Sequence, residues 1–182
     1  MKKLLVCLAL LVASVAPAFA TYPNAEYCFG SVACQYLADN AFSSSSSTAW
    51  SYSSASSGWS SQTDTCGTGS TGVAALAPGD SVWQYHATDS GLIHWKVEFD
   101  LYKTSTSVSS NDHFTVFVNN GIGTTESHIV YAGDYSGLCG SVSIPLSANF
   151  GGYSNVRVMI RRYSLSTVPM YIDNVSLFGT SY

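Results

Sequence analysis

Charge is scarce in this sequence. Asp, Glu, Lys and Arg make up 10% of its 182 residues, where globular chains usually carry about 25%. Positive charge is the scarcer sign, with seven Lys and Arg against eleven Asp and Glu and a net charge of −4. That balance excludes a nucleic-acid ligand, whose phosphates need a basic face, and it offers an anionic membrane surface little to attract. Helical periodicity is missing as well: from Gly72 onward no apolar spacing of three and four residues persists. One long apolar run exists, Leu4 to Val15, and it is too short to span a bilayer comfortably. No C-x-x-C pair is present, which removes the usual zinc spacing. There is no H-E-x-x-H, P-loop, G-x-G-x-x-G or G-x-S-x-G. The glycine-rich "CGTGSTG" at 66–72 has no lysine and no helical pattern after it, so it reads as a loop rather than a phosphate cradle.

The first twenty residues have the form of a secretory signal peptide. Lys2 and Lys3 precede the apolar run, and Ala18-Phe19-Ala20 supplies a small-x-small cleavage site. Cleavage after Ala20 leaves a single domain, residues 21–182, that is exported and has no segment for membrane insertion. Without Lys2 and Lys3, five basic side chains face eleven acidic ones, a formal charge of −6. Four cysteines remain: Cys28, Cys34, Cys66 and Cys139. An even number in an exported chain predicts disulfides, with three connectivities open. The pairing expected is Cys28 with Cys34, closing a short local loop, and Cys66 with Cys139 across the fold, although geometry decides it.

Period-two alternation stands where helices do not. In "GLIHWKVEFDLYK" (91–103), Ile93, Trp95, Val97, Phe99 and Leu101 share one face, and His94, Lys96, Glu98, Asp100 and Tyr102 the other. Five apolar residues opposite five polar ones predict a long strand with one wet side. Weaker alternation recurs at Ser81–Ala87, His113–Asn119, His128–Ala132, Ser141–Ser147 and Val156–Arg162, between turn signals such as "APGDS" and "NFGGYSN". About eight short strands of this kind predict an all-β fold, a two-sheet antiparallel β-sandwich with jelly-roll topology preferred. The serine-rich tract 42–61 carries Trp50, Tyr52 and Trp59, so it is expected to be a short strand and long loops anchored to the core. In the closing run "PMYIDNVSLFG", strict alternation cannot put Ile172, Val175 and Leu177 all inside. An extra residue at Asp173–Asn174 repairs the pattern, which predicts a β-bulge that turns Asp173 out of the core.

The segments "DNAF…AW" (39–50), "SVWQY" (81–85), "LIHWKVEFDLY" (92–102), "VRVMI" (156–160) and "YIDNVSL" (171–177), taken in order, resemble the galactose-binding-like jelly rolls. The likeness is strongest to the carbohydrate-binding modules of secreted bacterial glycoside hydrolases. It implies a structural Ca²⁺ held by the last-strand aspartate, here Asp173. An acidic residue commonly follows the opening Asn-Phe in those modules, and here Ser43 follows Phe42, so Asp39 or backbone carbonyls would have to compensate. The alternative is that Asp173 accepts backbone N–H groups at the bulge.

Other constellations carry less. Glu98 and Asp100 lie roughly 6.5–7 Å apart along one strand, a separation that fits either glycosidase geometry and so selects neither. His86 and His94 fall on successive strands and could face each other, but two imidazoles without a third ligand make a poor zinc site. Aromatic surface remains. Sugar rings stack their C–H faces on Trp and Tyr, and their hydroxyls pair with amides, imidazoles and guanidinium groups. Trp59, Trp83, Tyr85 and Tyr102 are the candidate platforms, with Gln84, His94 and Arg161 as hydrogen-bonding partners. The reading is a secreted, non-catalytic module that binds a glycan or cell-surface polysaccharide. An extracellular adhesive sandwich without sugar specificity is the alternative.

Overall fold

A computed structural model describes residues 27–29, 33–39, 41–62, 66 and 72–181, the first of these and residue 33 by backbone alone. The signal peptide and its cleavage site lie outside the described residues. Twelve strands are present among the described residues: β1 (Tyr27–Phe29), β2 (Ala33–Gln35), β3 (Ser51–Tyr52), β4 (Gly58–Ser60), β5 (Val73–Ala75) and β6 (Ser81–His86). They continue with β7 (His94–Lys103), β8 (His113–Asn119), β9 (Thr125–Tyr131), β10 (Cys139–Leu146), β11 (Val156–Tyr163) and β12 (Met170–Thr180). One 3₁₀ turn, Ala132–Asp134, follows β9.

The strands form two antiparallel sheets. The seven-stranded one is centred on β12, which pairs with β7 along one side and with β2 and β5 along the other; β1, β4 and β10 lie outside these. The five-stranded one runs β3-β6-β11-β8-β9. Alternation explains the layering: in β7 Trp95, Val97, Phe99 and Leu101 are buried and the residues between them are not. These side chains meet Phe114, Val116, Val118, Val156, Val158 and Ile160 of the other sheet in one apolar cluster. Phe99 and Phe114 touch edge to face across it, with ring centroids 6.5 Å apart. Each such side chain contributes about 1.5–3 kcal/mol on burial, so the interlayer is the main source of stability. The expected strand differs at one end, since Ile93 precedes β7 and is 51% exposed.

The bulge is where the parity conflict requires it. β12 slips against β7 between Asp173 and Ser176, and Asn174 takes φ = 50°, a left-handed conformation that Asn tolerates better than most residues. Ile172, Val175 and Leu177 are thereby all fully buried. Asp173 departs from expectation in one respect: it leaves the apolar interlayer but not for solvent, and is 2% exposed. The serine-rich tract supplies β3 and β4 and is anchored by Phe42 and Trp50, both buried, their rings 5.0 Å apart. Cys66 is bonded to Cys139, with Cα atoms 5.5 Å apart. Backbone register sets Cys28 opposite Cys34, and Cys34 is itself disulfide-bonded; the side chain of Cys28 lies outside the described residues. Among the described residues no helix is long and apolar enough to cross a membrane.

Candidate functional site

The five-stranded sheet buries one phase of its alternation and presents the other outward. Its register sets the outward side chains in rungs: Tyr85, Arg157 and Asn119; then Trp83, Met159 and Phe117; then Ser81, Arg161 and Thr115; then Tyr163, His113 and Tyr131. Tyr85 and Tyr131 are 47% and 41% exposed, and Trp83, Phe117, Met159, Tyr163 and both arginines are half-buried. His113 stacks on Tyr163 at 5.1 Å between centroids and tilts against Tyr131 at 5.6 Å. The Arg161 guanidinium lies over the Tyr163 ring at 4.7 Å, and that of Arg157 is 5.9 Å from the Tyr85 ring. Beside the last rung, His113, Tyr131, Tyr163, Ser164 and Leu165 line a cavity of about 600 Å³. Flat rings flanked by planar donors suit a ligand with apolar faces and hydroxyl edges.

The rim of that cavity is fixed from beneath by two buried charges. Asp112 is fully buried and accepts from the Ser164 and Ser166 hydroxyls and from the Ser109 and Leu165 N–H groups. Arg162, 2% exposed, donates to the carbonyls of Leu76 and Val168 at 2.7 Å each and to the Ser164 hydroxyl. Burial pushes the Asp112 carboxyl up, but its four donors outweigh that and hold it below the usual range. Glu126 is held low in the same way by the N–H groups of Ser147 and Ala148, against burial. Hydrogen bonds from Ser54 and Ser57 lower Asp80.

A pH dependence follows. For all three carboxyls the folded pKa lies below the unfolded one, near 4. Their stabilisation is complete above that value and is lost as pH falls through the folded pKa. The thermal midpoint followed by circular dichroism is expected to be level from about pH 7 to 5 and to drop below about pH 4. An unchanged midpoint down to about pH 2.5 would contradict this.

The residues singled out in the sequence are dispersed over four places. Trp83, Tyr85 and Arg161 lie on the outward face just described. Gln84 does not: it points inward, is 5% exposed, and uses its carbonyl and amide on the N–H and C=O of Ala38 at 2.7 and 2.9 Å. The alternation that exposes Trp83 and Tyr85 forces this. His94 and Tyr102 belong to the seven-stranded sheet, where Tyr102 stacks on Tyr171 at 5.7 Å. His86 is in the opposite sheet from His94 and is buried beside Tyr36, so the two do not face each other. Trp59 lines a separate cavity of about 260 Å³ with Asp39, Trp50 and Tyr52, and its indole N–H is bound to the Phe42 carbonyl at 2.7 Å. Gly72 packs against that indole so closely that a Cβ would collide with it. Arg157, Met159, Tyr163, His113, Phe117 and Tyr131 were not singled out. Their signal was the outward phase of strands read only for their inward one.

The two carboxylates named for calcium are in part already engaged. Asp39 gives Oδ1 to the N–H and hydroxyl of Ser43, at 2.7 and 2.6 Å. Ser43, where the resemblance expects a carboxylate, is therefore a donor to Asp39 rather than a further ligand. Asp39 Oδ2 is buried without a hydrogen-bond partner, and its charge, after burial, helps push the Tyr52 phenol up to about 12. Asp173 accepts the Asn174 N–H at 2.8 Å, which is the backbone role at the bulge. No group of three or more His, Cys, Asp or Glu able to hold a metal occurs among the described residues. Two carboxylates, each with one oxygen already engaged, supply few of the six to eight oxygens that Ca²⁺ takes.

Glu98 and Asp100 line a groove of about 390 Å³ on the outer side of the seven-stranded sheet. Glu98 accepts from the Lys96 ammonium at 2.8 Å and the Ser143 hydroxyl, and Asp100 from Ser141 and Asn174.

Two antiparallel sheets and a bulged closing strand make a β-sandwich, a fold shared with solved carbohydrate-binding modules. Among solved structures, the chain is similar to the carbohydrate-binding module CBM61, solved with β-1,4-galactotriose: TM-score 0.58 and 12% identity over 80% of this chain and 98% of that one. It is similar to the xylan-binding module CBM15 with a TM-score of 0.54 and 12% identity, covering 84% of this chain and 98% of the other. It also matches part of an arabinose-bound GH51 α-L-arabinofuranosidase, at TM-score 0.53 and 15% identity, spanning 80% of this chain and 26% of that enzyme. No protein-family model matches the sequence, and no curated protein matches it.

Proposed function

We propose that this chain is a secreted, non-catalytic glycan-binding module. Residues 1–20 act as its signal peptide and the rest forms one domain. The observation that carries the reading is the outward face of β6, β11, β8 and β9, where Tyr85, Trp83, Phe117, Tyr163 and Tyr131 alternate with Arg157, Arg161 and His113. A polysaccharide lies along this face, stacks its sugar rings on the aromatics and donates or accepts at its edges. No covalent step is involved. The fold shared with modules solved with galactotriose or described as xylan-binding supports the reading, as does a disulfide, which suits an oxidising compartment.

Trp83 is half-buried on the face and serves as reporter. Titration with a panel of soluble polysaccharides is expected to change tryptophan fluorescence, and insoluble ones are expected to retain the protein. Tyr163→Ala and Trp83→Ala each weaken affinity about three- to tenfold, since an aromatic pair is worth about 0.5–1.5 kcal/mol beyond its area. Folded protein that binds no glycan would sink the reading and leave the adhesive alternative.

A further inference from the structure

We infer that the ligand of this face is a sparsely acidic glycan, a mainly neutral chain bearing isolated uronic acid carboxylates. This rests on the glycan-binding reading and deepens it. The argument starts from the five basic residues beyond the signal peptide. Lys103 is 1% exposed and caps the carbonyls of Ala132 and Tyr135. Arg162 is buried and anchors a loop. Lys96 is paired with Glu98 at 2.8 Å. Arg157 and Arg161 remain, and both are on the aromatic face. Neither has a carboxylate within salt-bridge distance among the described residues.

The face itself is free of acids. No outward position of β6, β11, β8 or β9 carries Asp or Glu among the rungs. Asp80, beside the rim, is occupied by the hydroxyls of Ser53, Ser54 and Ser57. On a chain with eleven acidic residues, two guanidiniums without a carboxylate partner among the described residues, Arg161 giving only its Nε–H to the Gly79 carbonyl, mark where negative charge is accepted on this ring-lined face. Each lies near a ring, Arg157 near Tyr85 and Arg161 over Tyr163. A stacked guanidinium keeps its edge donors in the plane for a carboxylate. Four residues of strand put the two arginines about 13 Å apart, so each meets its own carboxylate. Density decides between acidic polymers. Densely sulfated chains are held by runs of basic residues, and the formal charge of −6 on the exported chain would repel them. Two separated cations suit a neutral backbone with occasional uronic acids.

The test uses the full exported chain and three polysaccharides: glucuronoxylan, partly methyl-esterified pectin and gum arabic. Each is compared with its carboxyl-reduced form, in which every uronic acid is a neutral sugar, and dextran sulfate is run beside them. At least one acidic form is expected to bind ten times or more tighter than its reduced form. For that pair, R157Q/R161Q brings the ratio to twofold or less, and rising salt lowers it in the parent protein. Equal binding of every pair overturns the inference while leaving the glycan reading intact. Tighter binding of dextran sulfate than of any uronic acid polymer also overturns it. No binding to any polysaccharide overturns both.

Discussion

Replacing Asp112 with alanine is expected to destabilise the protein by about 3–5 kcal/mol, the combined cost of several buried donors left without their acceptor. Asp112 is fully buried, and its carboxylate has no route to water. Arg162, 2% exposed, would keep its charge in a site where burial already lowers its proton affinity and Asp112 offsets that. Its Nε has no hydrogen-bond partner, so the guanidinium has nothing in reserve. Four donors would also lose their acceptor, two of them backbone N–H groups, and each buried orphan costs about 1–3 kcal/mol. Urea unfolding should show the midpoint moving with little change in slope. Asp112→Asn, which preserves shape and some acceptor capacity, should lose less. The loop held by Asp112 includes Ser164 and Leu165 at the cavity rim, so glycan affinity should fall even where the variant remains folded. A loss below about 1 kcal/mol would mean that the loop stands without the carboxylate.

Alternation made the layers legible before any partner was known. In β7 it names every buried residue from Trp95 to Leu101, and in β12 its failure at Ile172, Val175 and Leu177 locates the bulge. Parity, however, says which residues share a face and not which face meets what. Gln84 looked like a ligand group because it stands between Trp83 and Tyr85, yet that position puts it on the opposite side of the strand from both. His86 and His94 are eight residues apart and belong to different sheets, because the chain crosses the sandwich between β6 and β7. The aromatic face was half legible. Tyr163 joins His113 and Tyr131 only through the β11-β8 register, which pairs segments far apart in sequence. Nothing local announces that Asp112 would serve a loop some fifty residues later. Ser43 shows the converse: the sequence made calcium doubtful at one residue, and the hydrogen bonds to Asp39 give the physical reason.

Removing the Cys66–Cys139 bond in a C66A/C139A variant is expected to cost about 4 kcal/mol, because the bond closes a loop of more than seventy residues in the unfolded chain. For a domain of this size that corresponds to a fall of roughly 8–16 °C in thermal midpoint. The bond also ties an otherwise exposed end of β10 to the polypeptide before β5, next to Tyr102 in the seven-stranded sheet. The double variant is a cleaner test than a reductant, since Cys34 is also disulfide-bonded and a reductant would open both bridges. Its effect should be confined to stability. The aromatic rungs belong to the five-stranded sheet, on the far side of the apolar interlayer, so below its midpoint the variant should bind glycans within about twofold of the parent protein. A midpoint shift under about 3 °C would show that the unfolded chain is constrained by other means. A large loss of affinity in the folded variant would move the binding site to the sheet that carries the disulfide, toward Tyr102 and His94.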